Sequence, residues 1–459
     1  MTFPPQPVSP LDGRYSSQIG PIGDHLSEAG LNRARVHVEV EWLLFCASHG
    51  LFGTREVSET DARHLRDWAA NFGQAEIDWL AEKERVTRHD VKAVEYLVRE
   101  RLSEQGLDAL SEAVHIACTS EDINNLSYAL TIQAAVRDVW LPKFDGVIAQ
   151  LRALAEEHRE QPMLSHTHGQ PATPTTLGKE FAVFAWRLSR QRDRVASVEP
   201  LGKFAGATAT FSAHEIAHPA ADWPTLASEF VAGLGLTWNP LTTQIESHDW
   251  QAELFAGVSH AGRILHNLAT DVWTYISMGY FTQIPVAGAT GSSTMPHKIN
   301  PIRFENAEAN LELASAVLDS LASTLVTSRL QRDLTDSSAQ RNIGVGFGHS
   351  MLALDNLSKG LGEFSVSADS LQADLDGNWE VLAEAIQTVI RAEVLAGRSS
   401  ITDPYALLKD LTRGQRVDRD ALVEFVDALD IGEDAKARLR ELRPETYTGL
   451  ASDLVDRLP

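Results

Sequence analysis

The sequence predicts an all-α protein of three domains around a central bundle of long helices. Three observations predict it. Apolar residues recur at helical steps over unusually long stretches, strand-like alternation is almost absent, and 459 residues at 43% hydrophobic content exceed what one core usually supports. The first segment, 1–110, mixes short amphipathic pieces with loops. The central segment, 111–364, carries the long seams. Val147, Leu151 and Leu154 open the series, followed by Phe181, Phe184 and Leu188. Leu254, Val258, Ala261, Leu265, Leu268 and Val272 step by four and three over roughly four to five turns. Leu311, Ala314, Leu318, Leu321 and Leu325 repeat the pattern. Such seams pack against neighbouring helices, within a chain or between subunits. The glycine-rich stretch 201–212 lacks helical periodicity and is expected to form a small hairpin. The last segment, 365–459, turns charged, with Ser400 and Asp403 as caps of shorter helices.

Charge and cysteine content exclude several functions. The 63 acidic residues outnumber the 40 basic ones for a net charge of -23, which opposes attraction to nucleic acid or anionic lipid. A small anionic ligand would need arginine and lysine clusters that overcome this background. Cys46 and Cys118 are the only cysteines, too few for a disulfide framework or a thiolate zinc site, and they read as buried small side chains. The opening MTFPPQPVSP lacks the basic flank and apolar core of a secretory signal, and no apolar run is long enough to span a bilayer. A soluble cytoplasmic protein is expected, with no nucleic-acid or membrane partner.

The densest chemistry lies in Gly288-Ala289-Thr290-Gly291-Ser292-Ser293-Thr294-Met295-Pro296-His297-Lys298-Ile299-Asn300-Pro301, between two long helices. Glycines let backbone N–H groups approach a ligand, hydroxyls accept or donate protons, and Lys298 and Asn300 supply a cation and an amide. Glycine and serine are also ordinary linker residues, so composition alone leaves a plain inter-helix turn open. A second polar knot, Ser165-His166-Thr167-His168-Gly169-Gln170-Pro171-Ala172-Thr173-Pro174, contains two prolines and a glycine that place it in a loop or at a helix start. No further cysteine, histidine or carboxylate at a metal-site spacing joins His166 and His168, so no metal is expected. Histidine suits proton transfer instead, because its ordinary pKa lies near neutrality. Cys118-Thr119-Ser120-Glu121-Asp122-Ile123-Asn124-Asn125 reads as a helix start capped by Thr119, with Asp122 three residues on. Free N–H groups there favour an anion.

GSSTMPHKINP resembles the GSSxMPxKxNP signature of the fumarase and aspartase superfamily, whose members release fumarate by β-elimination. THGQPATP resembles the corresponding segment of the adenylosuccinate lyases within that superfamily. The resemblance implies Ser292, the first serine of the pair, as catalytic base, with Ser293 a neighbour and Lys298 and Asn300 holding substrate. It implies His168 as the acid that protonates the leaving nitrogen, with Thr167 and Gln170 orienting the ring and His166 structural. Thr87-Arg88-His89-Asp90-Val91-Lys92-Ala93-Val94-Glu95-Tyr96 is similar to the family's first-domain motif and implies substrate contact for Arg88, His89 and Asp90. Arg88 departs from the asparagine of the branch this chain otherwise resembles. The 118–125 match assigns Thr119 and Ser120 to substrate, and Glu121 and Asp122 to capping or orientation. Asp12-Gly13-Arg14-Tyr15 and Arg332-Asp333-Leu334-Thr335-Asp336-Ser337, followed by Arg341, also match. They imply that Arg14, Tyr15, Arg332, Ser337 and Arg341 contact substrate, the arginines gripping phosphate or carboxylate, for which guanidinium forks are suited. Gln244, in Thr243-Gln244-Ile245-Glu246, is similar to a substrate-contacting glutamine, although SHDW stands where the family has PHDY. Asn306 completes the implied substrate contacts.

By the same resemblance the bundle assembles into the helical core of a homotetramer, each active site drawing on three subunits. The implied substrates are adenylosuccinate, giving AMP, and SAICAR, giving AICAR, with no cofactor or metal. The implied reaction is an anti elimination. Ser292 takes a proton from the succinyl β-carbon, an aci-carboxylate carbanion forms, and His168 protonates the departing nitrogen. A serine hydroxyl performs this only if its alkoxide is stabilised. Backbone N–H groups around Gly291 and the charge of Lys298 are the available means once water is excluded. Two other readings stay open. One is another fumarate-forming lyase, such as an argininosuccinate lyase, distinguished by Arg14, His89, Ser337 and Arg341. The other is a retained fold without catalysis, against which the joint presence of Ser292, His168 and Lys298 argues.

Overall fold

Helix makes up 68% of the computed structural model, which describes residues 6–285, 295, 298–412 and 417–459. Strand is confined, among the described residues, to three two-stranded pairings, so the all-α class follows. Local chemistry sets the helix ends. The helix Glu28–His49 begins where the Ser27 hydroxyl accepts the Gly30 N–H at 3.1 Å and stops at Gly50, whose φ of 61° is the left-handed cap that glycine adopts without strain. The helix Ser120–Ala134 starts after Thr119, as its sequence predicts, with the Thr119 N–H donating to the Asp122 carboxylate at 2.8 Å. It continues through a π-helical turn, Ala135–Trp140, into Leu141–Glu157.

The seams lie on Leu141–Glu157, Leu177–Ala196, Asp249–Ser277 and Ile302–Leu325. Asp249–Ser277, with 29 residues, is about 44 Å long. Its six seam positions from Leu254 to Val272 are all buried, as are the five from Leu311 to Leu325. Val147, Leu151, Phe181, Phe184 and Leu188 are buried too, whereas Leu154 is half-buried and the next residue, Ala155, takes the inward position.

The fold divides into two compact units. The first spans 1–145, 191–266 and 306–356, the second 146–190, 267–305 and 357–459. Within the first, Val36, Val40, Leu43, Leu65, Leu80, Val94 and Val98 form a core joining Glu28–His49 to the helices Glu59–Ala70, Gln74–Thr87 and Asp90–Glu104. Within the second, Leu382, Ile386, Ile390, Leu422, Val426 and Leu439 close a C-terminal cluster, and Phe281 stacks on Phe364 at 4.5 Å across an antiparallel pair. No helix among the described residues is long and apolar enough to cross a membrane. Burial pushes the Cys46 and Cys118 thiols up, which keeps both protonated.

Two local expectations change. The 165–174 segment is neither loop nor helix start, because Pro162–Thr167 and Gln170–Thr176 pair as an antiparallel hairpin. Thr167 faces Gln170, which leaves His168 and Gly169 as a two-residue turn with φ of 56° and 73°, the primed geometry that matches strand twist. The 201–212 segment does not fold back on itself. Leu201–Gly202 pairs in parallel with Thr237–Trp238, where a Cβ on Gly202 would come within 2.5 Å of Leu126.

His214 is fully buried among Trp42, Phe204, Phe211 and Trp223, with both ring nitrogens unpartnered. Burial lowers its pKa from 6.5 to about 4, with Asp122 opposing and Lys203 reinforcing the shift. The unfolded chain therefore binds this proton more readily than the folded one. The stability tied to a neutral His214 is complete above pH 6.5 and is lost as pH falls toward about 4. Urea midpoints measured across that window should fall steeply for the native chain and less steeply for His214→Leu. An equal fall in both would remove His214 as the cause.

Candidate active site

The start of the helix Ser120–Ala134 is anchored by a buried ion pair. Asp122 and Lys203 are both fully buried, with Lys203 Nζ 2.7 Å from Asp122 Oδ1. The same oxygen accepts the Ala205 and Gly206 N–H groups at 2.9 and 3.3 Å, while Lys203 Nζ donates to the Gly206 carbonyl at 2.7 Å. Asn125 pins the Lys203 backbone on both sides, at 2.7 and 2.8 Å. Thr119 and Ser120 thus sit on a rigid helix entrance.

One residue further on, the buried Glu121 carboxylate accepts from Arg332 Nη2 at 2.9 Å and from Asn124 Nδ2 at 2.8 Å through the same oxygen. Arg332 Nη1 lies 3.4 Å from Gln244 Oε1, whose amide donates to the Ala207 carbonyl at 3.0 Å. Asn124 continues the line, since its Oδ1 accepts from Arg35 Nε at 2.9 Å. Arg35, only 1% exposed, also donates to Asn32 Oδ1 at 2.8 Å and to Asp90 Oδ2 at 2.9 Å. Asp90 Oδ2 takes a second guanidinium, that of Arg341, at 3.1 Å. Arg341 ends the line on Glu28, with Nη1 2.7 Å from both carboxylate oxygens. Four expected contacts, Asp90, Gln244, Arg332 and Arg341, therefore belong to one continuous polar relay in the first unit.

Charge states follow the contacts. Burial pushes the Asp90 carboxyl up, but the Arg35 charge, the Val91 N–H and Arg341 together hold it below the usual carboxylate range. The Glu28 hydrogen bond raises the Arg341 pKa further. His89 caps Asp90–Glu104, its Nδ1 accepting the Lys92 N–H at 3.2 Å, so the neutral ring carries its proton on Nε2. Arg88 is exposed at a left-handed φ of 51°, closing the preceding helix. Arg14 is exposed with its guanidinium 5.7 Å from the Tyr15 ring. Ser337 lies on the short helix Thr335–Gln340, its N–H bound to Asp336 Oδ1 at 2.7 Å. Across from Asp336, the buried His248 of the SHDW segment holds φ 61°, with Nε2 3.5 Å from Asp336 Oδ2. Asn306 is engaged with other amides, its Oδ1 accepting from Asn310 at 3.0 Å and Asn356 at 2.9 Å.

In the second unit His168 is exposed at the tip of its hairpin. His166 Nε2 lies 3.6 Å from the Asp374 carboxylate that also binds the Tyr280 hydroxyl, a structural setting. Lys298 is exposed, its N–H donating to the Met295 carbonyl at 3.0 Å, and the Asn300 carbonyl accepts the Ile302 N–H at 2.8 Å. Ser292 and Ser293 lie outside the described residues.

Sequence reasoning missed Arg35, Glu28 and Asn124. The signal for Asn124 was present in the i, i+3 spacing of Glu121 and Asn124 on one helix. Arg35 reads as a surface charge until its neighbours Val36, Val38 and Val40 prove buried alongside it.

A lyase family model matches residues 14–316, and an adenylosuccinate lyase C-terminal model matches residues 328–448. The adenylosuccinate lyase of Escherichia coli (strain K12) is 48% identical to this chain over 453 residues, 98% of each chain. The chain belongs to the adenylosuccinate lyase family. The adenylosuccinate lyase of Vibrio cholerae is also 48% identical, over 459 residues and 98% of each chain. That of Legionella pneumophila (strain Corby) is 44% identical over 450 residues, 98% of this chain and 97% of the relative. Two solved structures share the fold at lower identity. A 3-carboxy-cis,cis-muconate lactonizing enzyme from Pseudomonas putida is similar at TM-score 0.73 and 21% identity, covering 96% of each chain. A fumarate lyase from Mesorhizobium sp. BNC1 is similar at TM-score 0.74 and 20% identity, covering 96% of this chain and 97% of that one. As a member of the adenylosuccinate lyase family the chain is a lyase of purine nucleotide biosynthesis.

Within this family member, Lys203 is the one buried counter-charge paired with Asp122 among the described residues. Lys203→Met should destabilise the fold by roughly 3–5 kcal/mol, because it strands a carboxylate in the interior. The urea midpoint measures this, and a loss below about 1 kcal/mol, the worth of an exposed pair, would contradict the assignment of the pair as an anchor.

Proposed function

We propose that the chain cleaves adenylosuccinate to AMP and fumarate, and SAICAR to AICAR and fumarate, with Ser292 as general base and His168 as general acid. The observation that carries this reading is the relay Gln244–Arg332–Glu121–Asn124–Arg35–Asp90–Arg341. It gathers guanidinium groups in a strongly acidic protein, which is what a ligand bearing a phosphate and two carboxylates requires. In this reading Arg14, His89, Ser337 and Arg341 serve the nucleotide side. Tyr15, Arg88, Asp90, Thr119, Ser120, Gln244, Lys298, Asn300, Asn306 and Arg332 complete the substrate contacts, Arg332 gripping phosphate or carboxylate.

The chemistry is two proton transfers, one from the carbon next to the carbon–nitrogen bond and one to the departing nitrogen. Ser292 removes the proton from the succinyl β-carbon, the electron pair passes into the adjacent carboxylate as an aci-carboxylate, and the carbon–nitrogen bond then breaks. His168 delivers its proton to the departing nitrogen. A neutral–ionised cycle of this kind suits histidine. The exposed position of His168 on a two-residue turn supports a role that needs an open ring. Lys298 and Asn300 stabilise the charge that builds on the carboxylate. The three-segment division 1–110, 111–364 and 365–459, a homotetramer with sites shared by three subunits, and a cytoplasmic setting belong to the same reading. Exposed apolar side chains on the long helices support the assembly, among them Trp186, Trp273 and Leu313.

Pure protein mixed with adenylosuccinate should release fumarate, read by ultraviolet absorbance, and argininosuccinate should give none. Release from neither substrate would overturn the reading. Ser292→Ala should lower turnover by roughly a hundred- to ten-thousand-fold with little change in AMP affinity, and His168→Ala by a similar factor. Near-native turnover in either variant would remove that residue from its role.

A further inference from the structure

Arg341 is already engaged by two carboxylates, and the two differ in how firmly they are held. Asp90 is fixed from three directions. Arg35 reaches its Oδ2 at 2.9 Å, Arg341 reaches the same oxygen at 3.1 Å, and the Val91 N–H donates to Oδ1 at 2.9 Å. Glu28 places both oxygens 2.7 Å from Arg341 Nη1, and the next cation, Arg35 Nη1, is 4.0 Å away. The Glu28 side chain is also 54% exposed, against 23% for Asp90. Water can therefore take over the Glu28 carboxylate at little cost, whereas releasing Asp90 would strand the buried Arg35. Glu28 is the first residue of its helix, so its charge stays favourably placed at the helix N-terminus after it lets go.

Local charge balance points the same way. The relay holds three guanidinium groups, Arg35, Arg332 and Arg341, against three carboxylates, Asp90, Glu121 and Glu28. As it stands the cluster offers an anion no net attraction. The space beside Arg341, lined by Glu28, Tyr128 and Gln340, is a pocket of about 30 Å³, room for water and not for a phosphate.

We infer that Glu28 is the exchangeable counter-ion of Arg341, a carboxylate that occupies the guanidinium until a phosphate-bearing ligand replaces it. A monoanion trades like for like with Glu28, whereas a phosphate brings close to a second charge and a third acceptor oxygen, which makes it the stronger partner for the Arg341 guanidinium. This inference rests on the proposed function, which makes Arg341 a ligand contact.

Calorimetric titration of AMP into the native chain and into Glu28→Gln tests it. Glu28→Gln keeps the side-chain shape and removes the competing charge, and it should bind AMP about three- to fivefold more tightly, the worth of one exposed ion pair. Glu28→Asp, which keeps the helix-start charge but shortens the reach to Arg341, should shift affinity in the same direction. Unchanged or weaker AMP binding in Glu28→Gln, with the native chain binding AMP normally, would overturn the exchange and make Glu28 a positioning group. A native chain that neither binds AMP nor releases fumarate would overturn the proposed function instead.

Discussion

The Asp122–Lys203 ion pair sets the register on which the first-unit site depends. Removing both charges from water costs several kcal/mol per ion, a cost that attraction offsets only when every remaining donor and acceptor is satisfied. Here the carboxylate takes Lys203 Nζ and the N–H groups of Thr119, Ala205 and Gly206, and the ammonium also reaches the Gly206 carbonyl. Sliding the helix start by one residue would break all of these at once. The pair thus acts less as a source of stability than as a device that admits one alignment. Glu121 directly precedes Asp122 and shares that alignment, so the carboxylate that receives Arg332 is fixed by the same anchor.

From Glu121 onward, the site solves an electrostatic difficulty specific to this chain. A protein with net charge -23 repels the anions it must hold unless cations are concentrated and kept in place. Free arginines would spread into solvent, because fixing a long side chain costs rotamer entropy. Alternating guanidinium and carboxylate groups removes that freedom before any ligand arrives, which is preorganisation in the sense that lowers the cost of binding. Each carboxylate that fixes an arginine also cancels its charge. The relay accordingly mixes buried members, Arg35 and Glu121, with the half-exposed Glu28 that is free to withdraw.

His168 shows a second kind of constraint. Two-residue turns with both residues at positive φ favour asparagine followed by glycine, and a histidine in the first position carries a left-handed backbone that L-residues seldom adopt. The strands on either side impose the conformation, since Thr167 and Gln170 are paired. The imidazole is thereby presented at an exposed tip rather than folded into the sheet, with some backbone strain.

Much of this molecule was legible in its sequence, and the division has a physical basis. Helical seams such as Leu254 to Val272 are local, repeating every three or four residues, so the long helices and the all-α class could be read directly, and the Thr119 and Asp122 cap as well. Motif likeness then identified the family and the residues to examine. Two segments misled because strand pairing, rather than their own composition, sets their conformation. His168 and Gly169 form a hairpin only because residues 162–167 and 170–176 find each other, and Leu201–Gly202 becomes a strand only by meeting Thr237–Trp238. The burial of Arg35, the sharing of Asp90 between two arginines and the pairing of Arg341 with Glu28, 313 residues away, were decided by tertiary structure alone. Periodicity is written in neighbouring residues, whereas the neutralisation of a charge depends on which other charge the folded chain brings within reach.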